Sequence, residues 1–398
     1  MPPPTQERYR TLVEECRAVD PVPIAQLGLE LCELWSPPGS EAQVAERLAE
    51  ELTRVGARVR LDHTFPESPS VIAELGAESG RTLQWHGHLD AIDAPHPAPE
   101  LTGGRLVGRG SADMKGPDAA MVTAVALLAR HGLPDGCRLL ITLHGMHESG
   151  GNEPLHDLIA RGVHGDAVIT AELGGGLELP TGGLGLTFWE VQVSRPGTTL
   201  HEVMAPPGTV NPVEVGRLVH AELAALRDEL AARPGTPPLP SIFVGQFTGG
   251  DYVNTVPVTA TLKGTRRHDS AMSPDEVVAE LQALVDRVSE RTGARIDLSA
   301  VPVADSFDVD PEEQLVSATV AAHRDLTGRD LPLSRSTVAS NAVHFVQEAG
   351  IPAVGYGPDP STNHSDLESV AVDELGRIAG GLALATARYF DLSPDEPR

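Results

Sequence analysis

Apolar residues recur at helical spacing in four stretches of the chain. Val44, Leu48, Leu52 and Val55 make one stripe, with Ser40 and Gln43 set as a capping box before it and Gly56 as its stop. "NPVEVGRLVHAELAAL" opens with Asn211 as cap and Pro212 in the first turn. "SPDEVVAELQALVDRVSERTG" repeats that device with Ser273, Pro274 and a closing Gly293, and "DPEEQLVSATVAAHRDLTG" repeats it with Asp310, Pro311 and Gly328.

Between the helices lie short apolar runs bounded by turn residues: "SVIAEL", "TLQWHGHL", "RLLITLHG" and "DAVITAEL". "RLLITL" and "AVITA" have no polar face, which predicts strands covered on both sides in a mostly parallel sheet flanked by helices. The middle of the chain reads differently. "LTFWEVQVS" alternates like a half-buried strand, and "TATLKGTRR" and "RIDLSAV" do so more loosely. Residues from about 185 to 305 therefore read as strand–helix–strand–strand–helix–strand, an α+β unit interrupted by the Pro-rich loop "ARPGTPPLPS". The expected organisation is an α/β domain in two pieces, residues 1–184 and 306–398, with an α+β insert over 185–305.

Composition narrows the function. Aromatic residues are only 4% of the 398, so the core is built from Ala, Val, Leu and Ile. The formal charge of −26 argues against nucleic acid as a partner, because that needs a basic footprint. The opening "MPPPTQERYRTLVEECRAVD" lacks the apolar core of a signal peptide, and no run has the length of a membrane span. Cys16, Cys32 and Cys137 are too scattered for a metal finger and suit a reducing compartment, so a cytoplasmic protein is expected.

Acidic or histidine-bearing turns follow the strand-like runs. "WHGHLDAID" offers His88 and Asp90, "GRGSADMKG" offers Asp113, "HGMHESGG" offers Glu148, "VITAELGGG" offers Glu172, and "GYGPDPSTNHSDLES" offers His364 much later. In an open α/β sheet, ligands bind outside the carboxyl ends of the strands. If these turns share that edge, two histidines and three carboxylates converge as a nitrogen and oxygen set suited to zinc, cobalt or manganese. With one carboxylate bridging, the set suits two ions.

These motifs, in this order and spacing, resemble the superfamily of zinc aminoacylases, acetylornithine deacetylases, succinyl-diaminopimelate desuccinylases and glutamate carboxypeptidases. "HGHLDAID" with "GRGSADMKG" is the specific pair; "ESGG", "TAEL", "NHSDLE", "TTLHEVMAPPGTVNP" and "GGDYVNTVP" extend the likeness from about residue 20 to 390. The resemblance implies a metal-dependent amidohydrolase holding two zinc ions, acting on a small N-acyl amino acid or dipeptide, with an insert that forms a homodimer. It implies that His88, Asp113 and Glu172 bind one ion, and that Asp113 bridges to a second held by Glu148 and His364. Asp90 would orient His88, as ligating imidazoles usually require. His201 would polarise the scissile carbonyl, Arg266 would meet a substrate carboxylate, and Asn254 and Asn341 would line the same cleft. Lys115 reads as structural.

Two positions depart from the family pattern. The residue before the "ESGG" glutamate is normally another glutamate, the general base; here it is His147. "ASNAVHF" carries Asn341 where the family commonly has aspartate. Three readings of His147 stay open. It acts as the proton shuttle, since an imidazole titrates near neutral pH. It leaves hydrolysis impaired, the protein then serving acyl transfer or ligand binding. Or His147, or its neighbour His144, joins the metal ligands.

Overall fold

The computed structural model describes residues 5–234, 237–338 and 340–392. Gly235 and Thr236 of the Pro-rich loop lie outside the described residues. The described residues divide into two compact units, one made of residues 5–182, 309–334 and 340–392, the other of Gly183–Asp308 with a short segment beginning at Arg335.

The first unit is built on a six-stranded sheet. Its strands are β1 (Arg58–Asp62), β2 (Ser70–Gly76), β3 (Arg81–His88), β4 (Cys137–His144), β5 (Ala167–Thr170) and a short late strand, Ala353–Gly355. Their spatial order is β1-β2-β4-β3-β5 and then the late strand. β4, β3, β5 and the late strand run parallel, whereas β1 and β2 form an antiparallel margin. β3 is buried at every residue from Thr82 to His88, because helices cover both faces of a parallel sheet. Three of those helices are α1 (Ala42–Arg54), α2 (Lys115–His131) and α3 (Glu153–Ala160). Parallel alignment has a direct consequence: β3, β4, β5 and the late strand all deliver their carboxyl ends to one edge. The loops carrying His88, Glu148, Glu172 and His364 leave from that edge.

The second unit follows the strand–helix–strand–strand–helix–strand order. Its elements are β6 (Gly185–Ser194), α4 (Pro212–Ala231), β7 (Ser241–Gly249), β8 (Thr259–His268), α5 (Pro274–Thr292) and β9 (Arg295–Ala304). The sheet is antiparallel in the order β7-β8-β6-β9. Its core joins Trp189, Val191, Val193 and Leu262 from the strands to Val219, Leu281 and Val285 from the two helices. The other face stays bare, and across it Phe243, Thr265, Phe188 and Val301 stand in one cross-strand row. Phe243, Phe188 and Val301 are all exposed.

Helix starts show where local pattern and tertiary contact disagree. The Asn211 side chain caps α4 through Val213 N, and Ser273 forms a capping box with Glu276, as their sequences predict. Ser40 does not cap α1. Glu41 sits at that N-cap without a side-chain cap bond, because its buried carboxylate is turned away to accept the N–H groups of Gly39 and Met146. The helix expected from Asp310 begins later, as α6 (Gln314–Thr327), because Asp310 caps a preceding turn by accepting from Glu312 N. The chain then closes with α7 (Val372–Tyr389). Among the described residues, no helix is long and apolar enough to cross a membrane.

Candidate metal centre

His88 is the last residue of β3 and is fully buried. Its Nδ1 lies 3.1 Å from the Asp90 carbonyl oxygen and 3.4 Å from the Asp90 carboxylate. Both are acceptors, so Nδ1 carries the proton and Nε2 carries the lone pair. That Nε2 lies 3.0 Å from Asp113 Oδ1. A lone pair facing a carboxylate at that distance requires a proton or a cation between them. Without a cation the proton stays: burial opposes the charged ring, but Asp113 and Asp90 outweigh it and raise the His88 pKa well above the ordinary value.

The same arrangement recurs across the site. His364 Nε2 lies 3.0 Å from Glu148 Oε1 and 3.4 Å from Asp113 Oδ2. Those two carboxylates, Asp113 first, push the His364 pKa up to about 10. Asp113 thus faces both imidazoles; burial works against its charge, but His364 and then His88 hold it far below the usual carboxylate range. Asn363 Nδ2 donates to its Oδ2 at 2.9 Å. Donor atoms of His88, Asp113 and Glu148 all lie within 4.8 Å of one another. Glu172, just past β5, is buried, and its Oε1 has no hydrogen-bond partner among the described residues. Burial, foremost, raises its pKa.

Asp90 does more than hold His88. Its carboxylate also accepts the backbone N–H groups of His147 at 3.2 Å and Glu148 at 2.7 Å, locking the loop that carries both. Burial opposes the Asp90 charge, but His88 and the neighbouring donors bring its pKa down to about 2. From the other side, Glu41 holds Met146 N. Gly145 is required there: a Cβ would sit 2.3 Å from the Glu41 carboxyl carbon. Behind Asp113, the buried Glu368 accepts from the Asp113 and Ala112 backbone and pairs with Arg109. Lys115 donates to the Leu34 carbonyl at 2.7 Å, a structural bond.

The His147 ring stacks on His88 with centroids 4.3 Å apart. Its Nδ1 lies 2.9 Å from Asn341 Oδ1 and 3.1 Å from Asn152 Oδ1. Asn341 Nδ2 in turn faces Nε2 of His144 at 3.0 Å and of His86 at 3.3 Å. His144 Nδ1 donates to the Gly145 carbonyl at 2.7 Å, so its Nε2 is an acceptor. Burial, followed by the other histidines, keeps both rings neutral: His144 falls to about 3 and His86 lies well below its ordinary value. The network has one consistent reading: His147 is protonated on Nδ1 and presents the lone pair of Nε2. His144 spends both nitrogens inside this network and does not join the acidic cluster.

The structure therefore brings together His88, Asp90, Asp113, His147, Glu148 and His364, with Glu172 feeling the charges of His147, His88, Asp113 and Glu148. Two expectations change. Asn341 is fully buried with both ends of its amide on imidazoles, so it holds His147 and is not free to line a substrate cleft. Arg266 is also fully buried. Its Nε and Nη2 lie 2.8 and 3.3 Å from the Glu280 carboxylate, which takes up the fork a substrate would need. The next residue, Arg267, lies on the opposite face of β8 and is half-buried; its Nη1 is itself buried and has no hydrogen-bond partner among the described residues. His201 and Asn254 belong to the second unit and meet there, Asn254 Nδ2 standing 3.2 Å from His201 Nε2.

Comparison with known proteins agrees with this architecture. The sequence profile of peptidase family M20/M25/M40 matches residues 85–387. Succinyl-diaminopimelate desuccinylase of Methylobacterium sp. (strain 4-46) is 30% identical over 399 residues, covering 94% of this chain and 97% of that one. A tripeptidase of Staphylococcus aureus has the same fold at a TM-score of 0.78 and 18% identity, over 94% of this chain and 99% of that one. A dinuclear metal binding peptidase of Bacillus subtilis does so at a TM-score of 0.69 and 15% identity, over 92% and 97%.

Proposed function

The chain belongs to peptidase family M20/M25/M40, and from that premise we propose that it is a metal-dependent amidohydrolase that cleaves a small N-acyl amino acid or dipeptide bearing a free carboxylate. One observation carries the reading: Nε2 of His88, which bears the lone pair, and Nε2 of His364 each lie about 3 Å from a carboxylate, and the buried Oε1 of Glu172 has no partner among the described residues. A donor set in which acceptors face acceptors is what cations relieve. His88, Asp113 and Glu172 would hold one divalent ion and Glu148 and His364 the other, with Asp113 shared. The ions are zinc in this reading, with cobalt or manganese as alternatives that the same donors accept. When bound, they supply Lewis-acid polarisation of the carbonyl and an acidified water.

The chain's own residues supply the rest. Asp90 fixes the His88 ring and, through two backbone N–H groups, the position of His147. His147 takes the proton of the attacking water at Nε2 and returns it to the departing amine nitrogen, so that water and amide become acid and amine. Asn341 and Asn152 hold the proton on Nδ1 throughout, which keeps Nε2 the working atom. His201 is the group assigned to polarise the carbonyl oxygen as negative charge builds there. The bare apolar row across the second unit supports homodimerisation through the insert.

The test is amine release from a panel of N-succinyl, N-acetyl and N-formyl amino acids and dipeptides, before and after chelation and after zinc is returned. Release that disappears with the chelator and comes back with zinc is expected. A protein holding two ions per chain that releases amine from none of the panel overturns hydrolysis.

A further inference from the structure

We propose that the first unit carries a second, separate divalent-metal site made by His156, His344 and Glu348. It shares no residue with the centre described above. His156 lies on α3, while His344 and Glu348 stand four residues apart on the turn that follows Asn341. A single carboxylate is divided between two imidazoles: Glu348 Oε2 lies 2.9 Å from His156 Nδ1, and Glu348 Oε1 lies 2.8 Å from His344 Nδ1. The two rings meet edge to face with centroids 4.7 Å apart. One donor atom from each residue falls within 4.8 Å of the other two, the same compactness as His88, Asp113 and Glu148.

The chemistry of the set is two imidazole nitrogens and one carboxylate oxygen, which suits zinc with a water in the fourth position. Side-chain exposures of 41% for His156 and 36% for Glu348 leave a path for the ion and room for that water, while His344, at 13%, anchors the site in the fold. The other nitrogen of His344, Nε2, lies 3.4 Å from Asn152 Nδ2. The plain alternative is a hydrogen-bonded triad in which protons occupy both Nδ1 atoms. It makes the same three contacts but binds no ion.

The experiment compares the full chain with Glu348→Gln and His156→Gln, each stripped by chelator, equilibrated with zinc alone and passed through gel filtration before elemental analysis. The wild type should retain one more zinc per chain than either variant. Cobalt(II) in place of zinc should give a visible absorption difference between wild type and variant of the four-coordinate kind. Equal zinc in all three proteins overturns the site. The reading is a difference between chains with an identical catalytic centre, so it holds whether that centre takes two ions or fewer. Anomalous diffraction from zinc-soaked wild-type crystals decides independently of variant folding: a peak between His156 and Glu348 supports the site, and its absence at a filled catalytic centre overturns it.

Discussion

Asn341 Oδ1 lies 2.9 Å from His147 Nδ1 across 194 residues of chain. These are the two positions set apart when the sequence is compared with the family it resembles, and their side chains touch. An aspartate at 341 has no N–H to give the acceptor nitrogens of His86 and His144, whereas an asparagine satisfies both and still accepts from His147.

His147→Ala should lower turnover by about 10²–10⁴-fold, the usual worth of a positioned acid–base group, with metal content unchanged. Steady-state kinetics and elemental analysis check it together. Unaltered turnover would remove His147 from the mechanism.

Asn341→Asp should lower kcat by roughly ten-fold or more with little effect on KM, since it disturbs the base and no substrate contact. In a His147→Ala background the same change should do almost nothing. A double-mutant cycle measures this; additive effects would mean that the two residues act separately.

Glu172→Gln should have opposite effects with and without metal. Burial raises the Glu172 pKa in the folded chain, so the folded state holds a proton that the unfolded state releases. The metal-free wild type then loses stability as pH rises above the ordinary carboxylate range, and glutamine removes that loss. With zinc present the order reverses, because the buried carboxylate has its cation. Thermal melts at several pH values, with and without chelator, show the crossing.

Arg266 should prove to be a folding residue, its guanidinium taken up by Glu280. Arg266→Ala strands Glu280 and should cost about 3 kcal/mol of stability, as breaking a buried pair does. Denaturant titration of the variant tests the assignment.

Much of this site was legible in the sequence because it sits where strands end. His88, Glu148 and Glu172 each follow an apolar run, and a parallel sheet brings such ends to one edge. Caps that depend on nearby residues, such as Asn211 and Ser273, were equally readable. The burial of Arg266 was not. Strand alternation separates it from Arg267, but only the helices packed on β8 reveal which face is covered. Glu41 and Asn152 were not singled out by the sequence, and Asn341 was singled out for the wrong role, since each owes its part to partners far along the chain or to a loop geometry that no local pattern encodes. The Ser40 cap failed because the helix starts one residue later, with Glu41 at its N-cap and the Glu41 carboxylate held by the Gly39 and Met146 N–H groups.

The split of the first unit sets a timetable for synthesis. β5 is made early, yet the strand that pairs with its free edge, Ala353–Gly355, comes after the whole insert, and His364 later still. At about 5–20 residues per second, the ribosome needs roughly 10–40 s to travel from Glu172 to His364. Throughout that interval the nascent sheet carries an unpaired apolar border, the kind that recruits other chains. A transcript truncated near codon 340 should therefore yield aggregate, and production of soluble protein should respond more to chaperone supply during translation than to zinc added afterwards.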